Sequence, residues 1–153
     1  MKGKMKAGRF YAPGNIILED VNIPQIGPNE LLVKVKIALT CGTDVKMYKR
    51  GHPKVKPPIT LGHEFSGIVV EAGNNAINHF RENDHVAVAN SAPCNICFFC
   101  KSGKQNLCEH LMETLIGFSI DGAYAEYIRV PAPIVKQNTY VIPESISFEE
   151  AAL

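Results

Sequence analysis

Four cysteines lie within fifteen residues of this chain, at Cys94, Cys97, Cys100 and Cys108. Gaps of two residues let neighbouring thiolates face one point, and zinc in structural sites prefers a closed tetrahedron of sulfur ligands. The apolar side chains that could form a local core are only Ile96, Phe98, Phe99 and Leu107. Zinc bound by four thiolates contributes on the order of 10 kcal/mol to folding. We therefore predict a structural zinc lobe over about residues 91–112.

Two other uses of these cysteines stay open at this point. Disulfides need an oxidising compartment and normally an even number of cysteines, whereas the chain has five and we expect no secretory leader. The C-x2-C-x2-C spacing also occurs in bacterial ferredoxins, which bind iron-sulfur clusters. There the fourth cysteine follows after three residues and precedes proline; here the gap is seven residues and Glu109 follows. The spacing favours zinc.

The overall composition argues against several classes of partner. The chain has 153 residues, and its 16 basic and 15 acidic side chains give a formal net charge of +1 without a run of like charge. Nucleic acids and anionic lipids attract a basic surface, so we expect neither as a partner. No apolar stretch approaches the ~18 residues that span a membrane. We expect a single-domain protein of the cytoplasm.

Short strands dominate the pattern of apolar residues. Residues 32–39 alternate strictly, with Val33, Val35, Ile37 and Leu39 on one face. Glycine, proline and asparagine separate the other candidates, as in a compact β-rich domain with long loops. Further strands are predicted at residues 16–18, 67–70, 85–89, 124–130 and 140–142.

The last residues have the pattern of a helix start. Ser147 is followed three residues later by Glu150, which is the capping-box pattern, and Ala151, Ala152 and Leu153 are strong helix formers. Isolated helices shorter than ~12–15 residues are marginal in water. We therefore expect this sequence to be the amino-terminal part of a longer protein.

A second group of metal-ligand types involves the fifth cysteine. Cys41 lies just past the strand predicted over residues 32–39, and His63 and Glu64 follow about twenty residues later. A catalytic zinc site typically has three protein ligands and one open position, and Cys, His and carboxylate all suit it. Each piece is weak alone, because a single strand-end cysteine is usually a small buried apolar residue and a Gly-His-Glu triplet is usually a turn.

The order of these pieces carries a family resemblance. The blocks are Cys41-Gly42-Thr43-Asp44, Gly62-His63-Glu64-Phe65-Ser66-Gly67-Ile68-Val69, the four-cysteine pattern and Asp121-Gly122-Ala123-Tyr124-Ala125-Glu126-Tyr127. Together they resemble the zinc-dependent medium-chain alcohol dehydrogenases, above all the polyol and threonine dehydrogenase branch. The resemblance implies a mainly β fold: a GroES-like β-barrel with an inserted structural zinc lobe, occupying residues 1–153. It also implies that a Rossmann cofactor domain lies outside this chain.

The same resemblance assigns roles by position. Cys41 and His63 are similar to two catalytic zinc ligands, and Glu64 to a conditional ligand beside them. Asp44 matches a carboxylate that orients the ligand histidine, although capping a turn is an equally reasonable role. Thr43 matches a hydroxyl that hydrogen-bonds the substrate oxygen, although it could serve only the local backbone.

Several positions depart from the family pattern. Lys46 stands where threonine dehydrogenases have a proton-relaying histidine. His52 is a candidate substitute for that role, although a solvated loop histidine is the more ordinary interpretation. The usual glycine of a Gly-Asp-Arg-Val turn is Asn83 here, which loses the freedom of glycine at positive φ. The third metal ligand and the G-x-G-x-x-G fingerprint of nicotinamide binding are not found in the sequence. The remaining histidines are expected at the surface: His79, His85 and His110.

The function implied is that of the catalytic portion of a zinc-dependent alcohol or polyol dehydrogenase. Zinc would polarise a secondary alcohol for hydride transfer to NAD(P) in the full-length protein, which could form a homo-oligomer. The isolated chain is expected to be inactive. The alternative is a stand-alone zinc-stabilised binding or scaffold module without catalysis. A zinc-ribbon nucleic-acid binder is disfavoured, because Lys101 and Lys104 make no basic stripe.

Overall fold

The structure, a computed structural model, describes residues 1–76 and 79–153. Within these residues the chain forms eight strands and four short α-helices. The strands are β1 Lys4–Ala12, β2 Asn15–Asn22, β3 Leu31–Leu39, β4 Ile59–Thr60, β5 Glu64–Ala72, β6 His85–Val88, β7 Tyr127–Val130 and β8 Thr139–Val141. The helices are α1 Gly42–Arg50, α2 Phe98–Lys101, α3 Ala132–Gln137 and α4 Phe148–Ala152. The mainly β fold class expected from the sequence is confirmed.

The strands form two antiparallel sheets. One has the order β2-β1-β4, and the other has the order β7-β3-β5-β6-β8. In the larger sheet β3 and β5 are central neighbours, paired from Leu31 with Ala72 to Leu39 with Glu64. This register brings the end of β3 beside the start of β5. Cys41, which follows β3, and His63, which precedes β5, therefore lie at the same end of the sheet.

One predicted strand divides between the two sheets. The sequence pattern indicates a continuous strand over 124–130, but only Tyr127–Val130 pairs with β3 as β7. The preceding residues bond instead to β1: Gly8 N–H donates to the carbonyl of Tyr124, and Glu126 N–H donates to the carbonyl of Lys6. The segment thus crosses from one sheet to the other, so its regular pairing with β3 begins only at Tyr127.

The largest apolar core lies against the five-stranded sheet. Fully buried side chains from neighbouring strands meet there, including Leu31, Val33, Phe65, Val69 and Val86. Ladder hydrogen bonds satisfy the strand backbones, so burial of these side chains is the main stabilising term. The core fixes the two strand ends that carry Cys41 and His63.

Helix α4 begins with the predicted capping box. The Ser147 hydroxyl accepts from Glu150 N–H, and the Glu150 carboxylate accepts from Ser147 N–H. The helix packs on the larger sheet, where Ser66 Oγ donates to the carbonyl of Phe148 at 2.6 Å. Tertiary packing therefore supports a helix that is too short to be stable alone.

Two expectations about single residues need correction. Asn83 adopts φ +74°, which is the left-handed conformation that we expected only glycine to favour at this turn. Asparagine tolerates this conformation better than most residues. His85 is half-buried rather than at the surface, because its ring packs 4.6 Å from that of Phe148. His79 and His110 are exposed as expected. No helix among the described residues combines the length and apolar character needed to cross a bilayer.

Candidate metal centres

The first candidate centre is the four-cysteine segment. Cys97 precedes α2, Cys100 lies in α2, and short 3-10 helices at Gln105–Leu107 and Leu111–Glu113 flank Cys108. The four sulfur atoms of Cys94, Cys97, Cys100 and Cys108 all lie within 4.8 Å of one another. Tight turns therefore bring together thiols that are up to fourteen residues apart.

Backbone amides point at these sulfurs. Cys94 N–H donates to Cys108 Sγ at 3.3 Å, and Cys97 N–H donates to Cys94 Sγ at 3.3 Å. Backbone hydrogen bonds from Cys100 and Glu109 lower the pKa of Cys97 to about 6. Burial and the adjacent Cys97 raise the pKa of Cys100 to about 12. The four sulfurs can all be ionised only if a cation lies among them.

The quartet fits a single tetrahedral ion. Zinc–sulfur bonds of about 2.3 Å in a tetrahedron place sulfurs about 3.8 Å apart, and Cys94 Sγ lies 3.9 Å from Cys100 Sγ. All five cysteines are free thiols, so the disulfide alternative is not supported. An iron-sulfur cluster distributes its four cysteines over two or four irons, which suits thiols more widely spread than these.

The apolar side chains of this segment do not form a core. Ile96, Phe98 and Leu107 are 71%, 72% and 52% exposed. The buried groups are Cys97, Cys100 and Cys108, packed with the partly buried Cys94, Phe99 and Leu111. The segment thus has little apolar packing of its own, and its stabilisation by a metal stays a prediction.

The second candidate centre lies at the shared end of β3 and β5. Cys41, His63 and Glu64 offer ligand atoms that lie within 4.8 Å of one another. Cys41 caps the amino terminus of α1, where the helix dipole favours a thiolate. Hydrogen bonds from the backbone and hydroxyl of Thr43 and from His63 lower the pKa of Cys41. Thiolate, imidazole and carboxylate in one cluster are a donor set that suits zinc.

Asp44 lies behind this cluster and is almost completely buried. Its Oδ2 accepts from Cys41 N–H at 3.1 Å, and its Oδ1 lies 3.4 Å from His63 Nδ1. The contact with His63 is electrostatic, because its geometry falls outside that of a hydrogen bond. Burial opposes ionisation of Asp44, but contacts with His63, Cys41 N–H and Tyr124 outweigh it and lower its pKa. Asp44 in turn raises the pKa of His63 to about 9.

Among the other residues singled out in the sequence, only Thr43 reaches this cluster. Its Oγ1 lies 3.6 Å from Cys41 Sγ. Lys46 is exposed on α1. His52 is also exposed, and its ring packs edge-on against the ring of Phe118. The Phe118 ring also contacts the ring of His63. Phe118 therefore packs against both histidine rings.

One residue of this site was not recognised in the sequence. The Tyr124 hydroxyl lies 3.1 Å from Asp44 Oδ2 and 3.1 Å from the carbonyl of Leu39. Burial, together with Asp44 and Glu64, raises the pKa of Tyr124 to about 12. No local signal in the sequence marked this residue, because it reaches Asp44 only through the pairing of residues 122–124 with residues 60–62.

A cavity of about 350 Å³ opens beside the second cluster. His63 and Glu64 line one side, and Tyr140, Ala152 and Leu153 line another. The half-buried Glu64 thus faces a space large enough for a small molecule.

The comparisons with known proteins agree with this combination of fold and clusters. A family model described as the alcohol dehydrogenase GroES-like domain matches residues 27–142. The chain belongs to this family. The GroES-like fold and the resemblance to zinc-dependent medium-chain dehydrogenases are thereby confirmed.

Individual relatives are similar over nearly the whole chain. An L-threonine 3-dehydrogenase of Caldanaerobacter subterraneus is 42% identical over 98% of the chain, and a sorbitol dehydrogenase of Bacillus subtilis is 35% identical over 97%. A zinc-binding dehydrogenase of Sinorhizobium meliloti, solved with NADP bound, superposes with a TM-score of 0.86 at 38% identity over 98% of the chain. The chain spans 44%, 41% and 42% of the lengths of these three proteins.

Proposed function

We propose that this chain is the catalytic-domain portion of a zinc-dependent dehydrogenase that acts on a secondary alcohol or polyol with NAD(P). The observation that carries the proposal is the cluster of Cys41, His63 and Glu64 within 4.8 Å, beside a cavity. The names of the threonine and sorbitol dehydrogenase relatives support the substrate class. NADP in the similar Sinorhizobium structure supports the cofactor.

Each residue of the cluster has a definite part in this proposal. Cys41 and His63 bind the catalytic zinc, and Glu64 is a conditional ligand that can bind the zinc or leave its position to another ligand. Zinc bound there supplies Lewis acidity toward the oxygen of an alcohol. Asp44 faces Nδ1 of His63, which keeps a proton on that nitrogen and leaves Nε2 as the ligand atom. Thr43 Oγ1, beside Cys41, takes up the proton of the substrate hydroxyl as it releases its own proton to solvent.

The four-cysteine segment has a separate part. Cys94, Cys97, Cys100 and Cys108 hold a structural zinc that braces residues 91–112 without contacting substrate. Because thiolate ligands must stay reduced, we place the protein in the cytoplasm. The domain assignment is residues 1–153 as the GroES-like catalytic domain, with the nicotinamide bound elsewhere in the longer protein.

Metal analysis of the purified chain tests these assignments. We expect one tightly bound zinc and a second, weaker zinc when the metal is in excess. Cys41→Ser and His63→Ala should each remove only the second ion, whereas Cys97→Ser should remove the first. A stoichiometry of one zinc that neither Cys41→Ser nor His63→Ala changes would favour the stand-alone binding module instead.

A turnover assay tests the other half of the proposal. We expect no nicotinamide reduction by the 153-residue chain with simple secondary alcohols or polyols, because hydride transfer requires a bound nicotinamide. The full-length protein should catalyse the same reaction, and His63→Ala in that protein should abolish it. Turnover by the 153-residue chain alone would refute the proposal that the nicotinamide is bound elsewhere in the longer protein.

A further inference from the structure

Tyr124 is held against the second cluster by backbone contacts that do not involve its own hydroxyl. Tyr124 N–H donates to the carbonyl of Leu61 at 2.9 Å, and Ala123 N–H donates to the carbonyl of Gly62 at 2.9 Å. On the other side, Gly8 N–H donates to the carbonyl of Tyr124 at 2.7 Å. The position of the ring is therefore fixed by main-chain pairing with the residues just before His63.

The ring rests directly on the backbone of Gly62. A Cβ at that position would lie 2.6 Å from Cδ1 of Tyr124, and Gly62 has φ +91°. Only glycine allows the phenol ring to approach this closely without strain. This close approach brings the hydroxyl within 3.1 Å of Asp44 Oδ2.

The Asp44 carboxylate needs this donor. It is almost completely buried, so its two oxygens must find hydrogen-bond donors within the fold. Oδ1 faces Gly62 N–H at 3.4 Å and His63 Nδ1 at 3.4 Å, whereas Oδ2 has Cys41 N–H and the Tyr124 hydroxyl, both at 3.1 Å. The Tyr124 hydroxyl has a single proton, and a carboxylate oxygen is a stronger acceptor for it than the Leu39 carbonyl.

We propose that Tyr124 is a positioning residue for the second metal centre: its hydroxyl fixes the Asp44 carboxylate and, through it, the orientation of the His63 ring. This inference rests on the proposed role of Cys41, His63 and Glu64 as metal ligands. Groups that orient metal ligands typically change metal affinity by 10–100-fold when they are removed. Tyr124 acts one contact further from the metal, so the effect of its hydroxyl should lie near the lower limit, at about tenfold.

Tyr124→Phe tests this, because it keeps the ring on Gly62 and removes only the hydroxyl. The chain is first loaded with one zinc per molecule to fill the four-cysteine site, and Co²⁺ is then titrated into the second. We expect the Co²⁺ dissociation constant to rise about tenfold and the ligand-field absorption bands to shift, because His63 is held less firmly. Far-UV circular dichroism of each zinc-loaded variant reports whether its sheets have folded.

Tyr48→Phe is the matched control. Tyr48 lies on α1, the helix that carries Asp44, and its hydroxyl bonds the carbonyl of Gly14 rather than Asp44. This variant should bind Co²⁺ with the wild-type affinity and spectrum. A double-mutant cycle with Asp44→Asn completes the test: once the carboxylate is gone, loss of the Tyr124 hydroxyl should have little further effect.

The outcomes separate the two proposals. Wild-type Co²⁺ affinity and spectrum in Tyr124→Phe would overturn the role of Tyr124 and leave the metal site intact. Additive effects of Tyr124→Phe and Asp44→Asn would also overturn it, because the hydroxyl would then act by another route. If the wild-type chain bound no second ion at all, the proposed metal site itself would fail, and this inference with it.

Discussion

At the scale of single residues, the two oxygens of Asp44 perform two tasks. Oδ2 accepts from Cys41 N–H and so caps α1, and Oδ1 faces His63 Nδ1. The two roles that the sequence left open for Asp44 therefore do not compete. One carboxylate ties the backbone of a candidate ligand to the ring of another, which couples the start of α1 to the start of β5.

Gly62→Ala tests how closely this site is packed. The substitution combines a positive φ with a Cβ placed 2.6 Å from the Tyr124 ring. We expect it to lower the free energy of unfolding by about 2–5 kcal/mol, since left-handed backbone costs about 1–2 kcal/mol for alanine and overpacking about 1–3 kcal/mol. Urea denaturation of the zinc-loaded chain measures the change.

Gly14→Ala supplies the matched control for backbone strain. Gly14 has φ +77°, and a Cβ there would contact nothing within 4 Å. Its cost should therefore be only the backbone part, about 1–2 kcal/mol. Equal losses for Gly62→Ala and Gly14→Ala would show that the Tyr124 ring yields to the new methyl group.

The candidate ligands could be named from the sequence, and Tyr124 could not, for a physical reason. The chemistry of Cys, His and Glu and their short spacings are local properties, so the sequence shows them directly. Tyr124 reaches Asp44 only because residues 122–124 pair with residues 60–62. That register depends on the folded backbone, which no short motif encodes.

At the scale of elements, the same distinction applies to the strands. Strict alternation predicted β3, and the capping box predicted the start of α4. Strand β1 was not predicted, because its buried side chains are Met5, Ala7 and Phe10, whose spacing changes from two residues to three and so breaks the alternation. Strand β4 has only two residues, which is too short for any periodic signal.

The capping box of α4 should make a contribution to stability that depends on pH. Hydrogen bonds from Ser147 N–H and the Ser147 hydroxyl lower the pKa of Glu150 from 4.5. A lowered pKa in the folded state stabilises the protein at pH values above 4.5, and this stabilisation is lost as the pH falls toward the folded-state pKa. Glu150→Gln should thus destabilise the chain most at neutral pH, and the difference from wild type should shrink in acid.

Glu149→Gln is the control for this pH dependence. Glu149 lies in the same helical turn but outside the capping box. Urea denaturation at pH 7 and below pH 4.5 should show a pH-dependent difference for Glu150→Gln and a smaller one for Glu149→Gln. Equal behaviour of the two variants would mean that the capping box does not hold the Glu150 carboxylate in solution.

At the scale of the whole molecule, the two metal centres differ in how they are supported. Among the described residues, the apolar side chains packed with the cysteine cluster of the lobe are Phe99 and Leu111, separate from the main core. Cys41 and His63 instead lie where two core strands end, on a framework held by Leu31, Val33 and Phe65. We therefore expect the lobe to need its ion to fold, whereas the sheet itself brings the residues of the second centre together.

This difference predicts an order of events on metal removal. In a series of chelators of increasing affinity, the weaker ones should first remove the ion held by Cys41, His63 and Glu64. Four thiolates bind zinc more tightly than one thiolate, one imidazole and one carboxylate. Removal of the remaining ion should unfold residues 91–112 and leave the two sheets folded. Hydrogen exchange measured by mass spectrometry should then show lost protection in that segment and retained protection in β3 and β5.

Cys97→Ser gives the same test without a chelator. It should increase exchange over residues 91–112 and leave β3 and β5 protected, whereas Cys41→Ser should leave the exchange of both regions close to wild type. Loss of protection throughout the chain in Cys97→Ser would show that the lobe zinc stabilises the whole fold. In that case the separation of the lobe cluster from the main core would understate their energetic coupling, and the two centres could not be loaded independently.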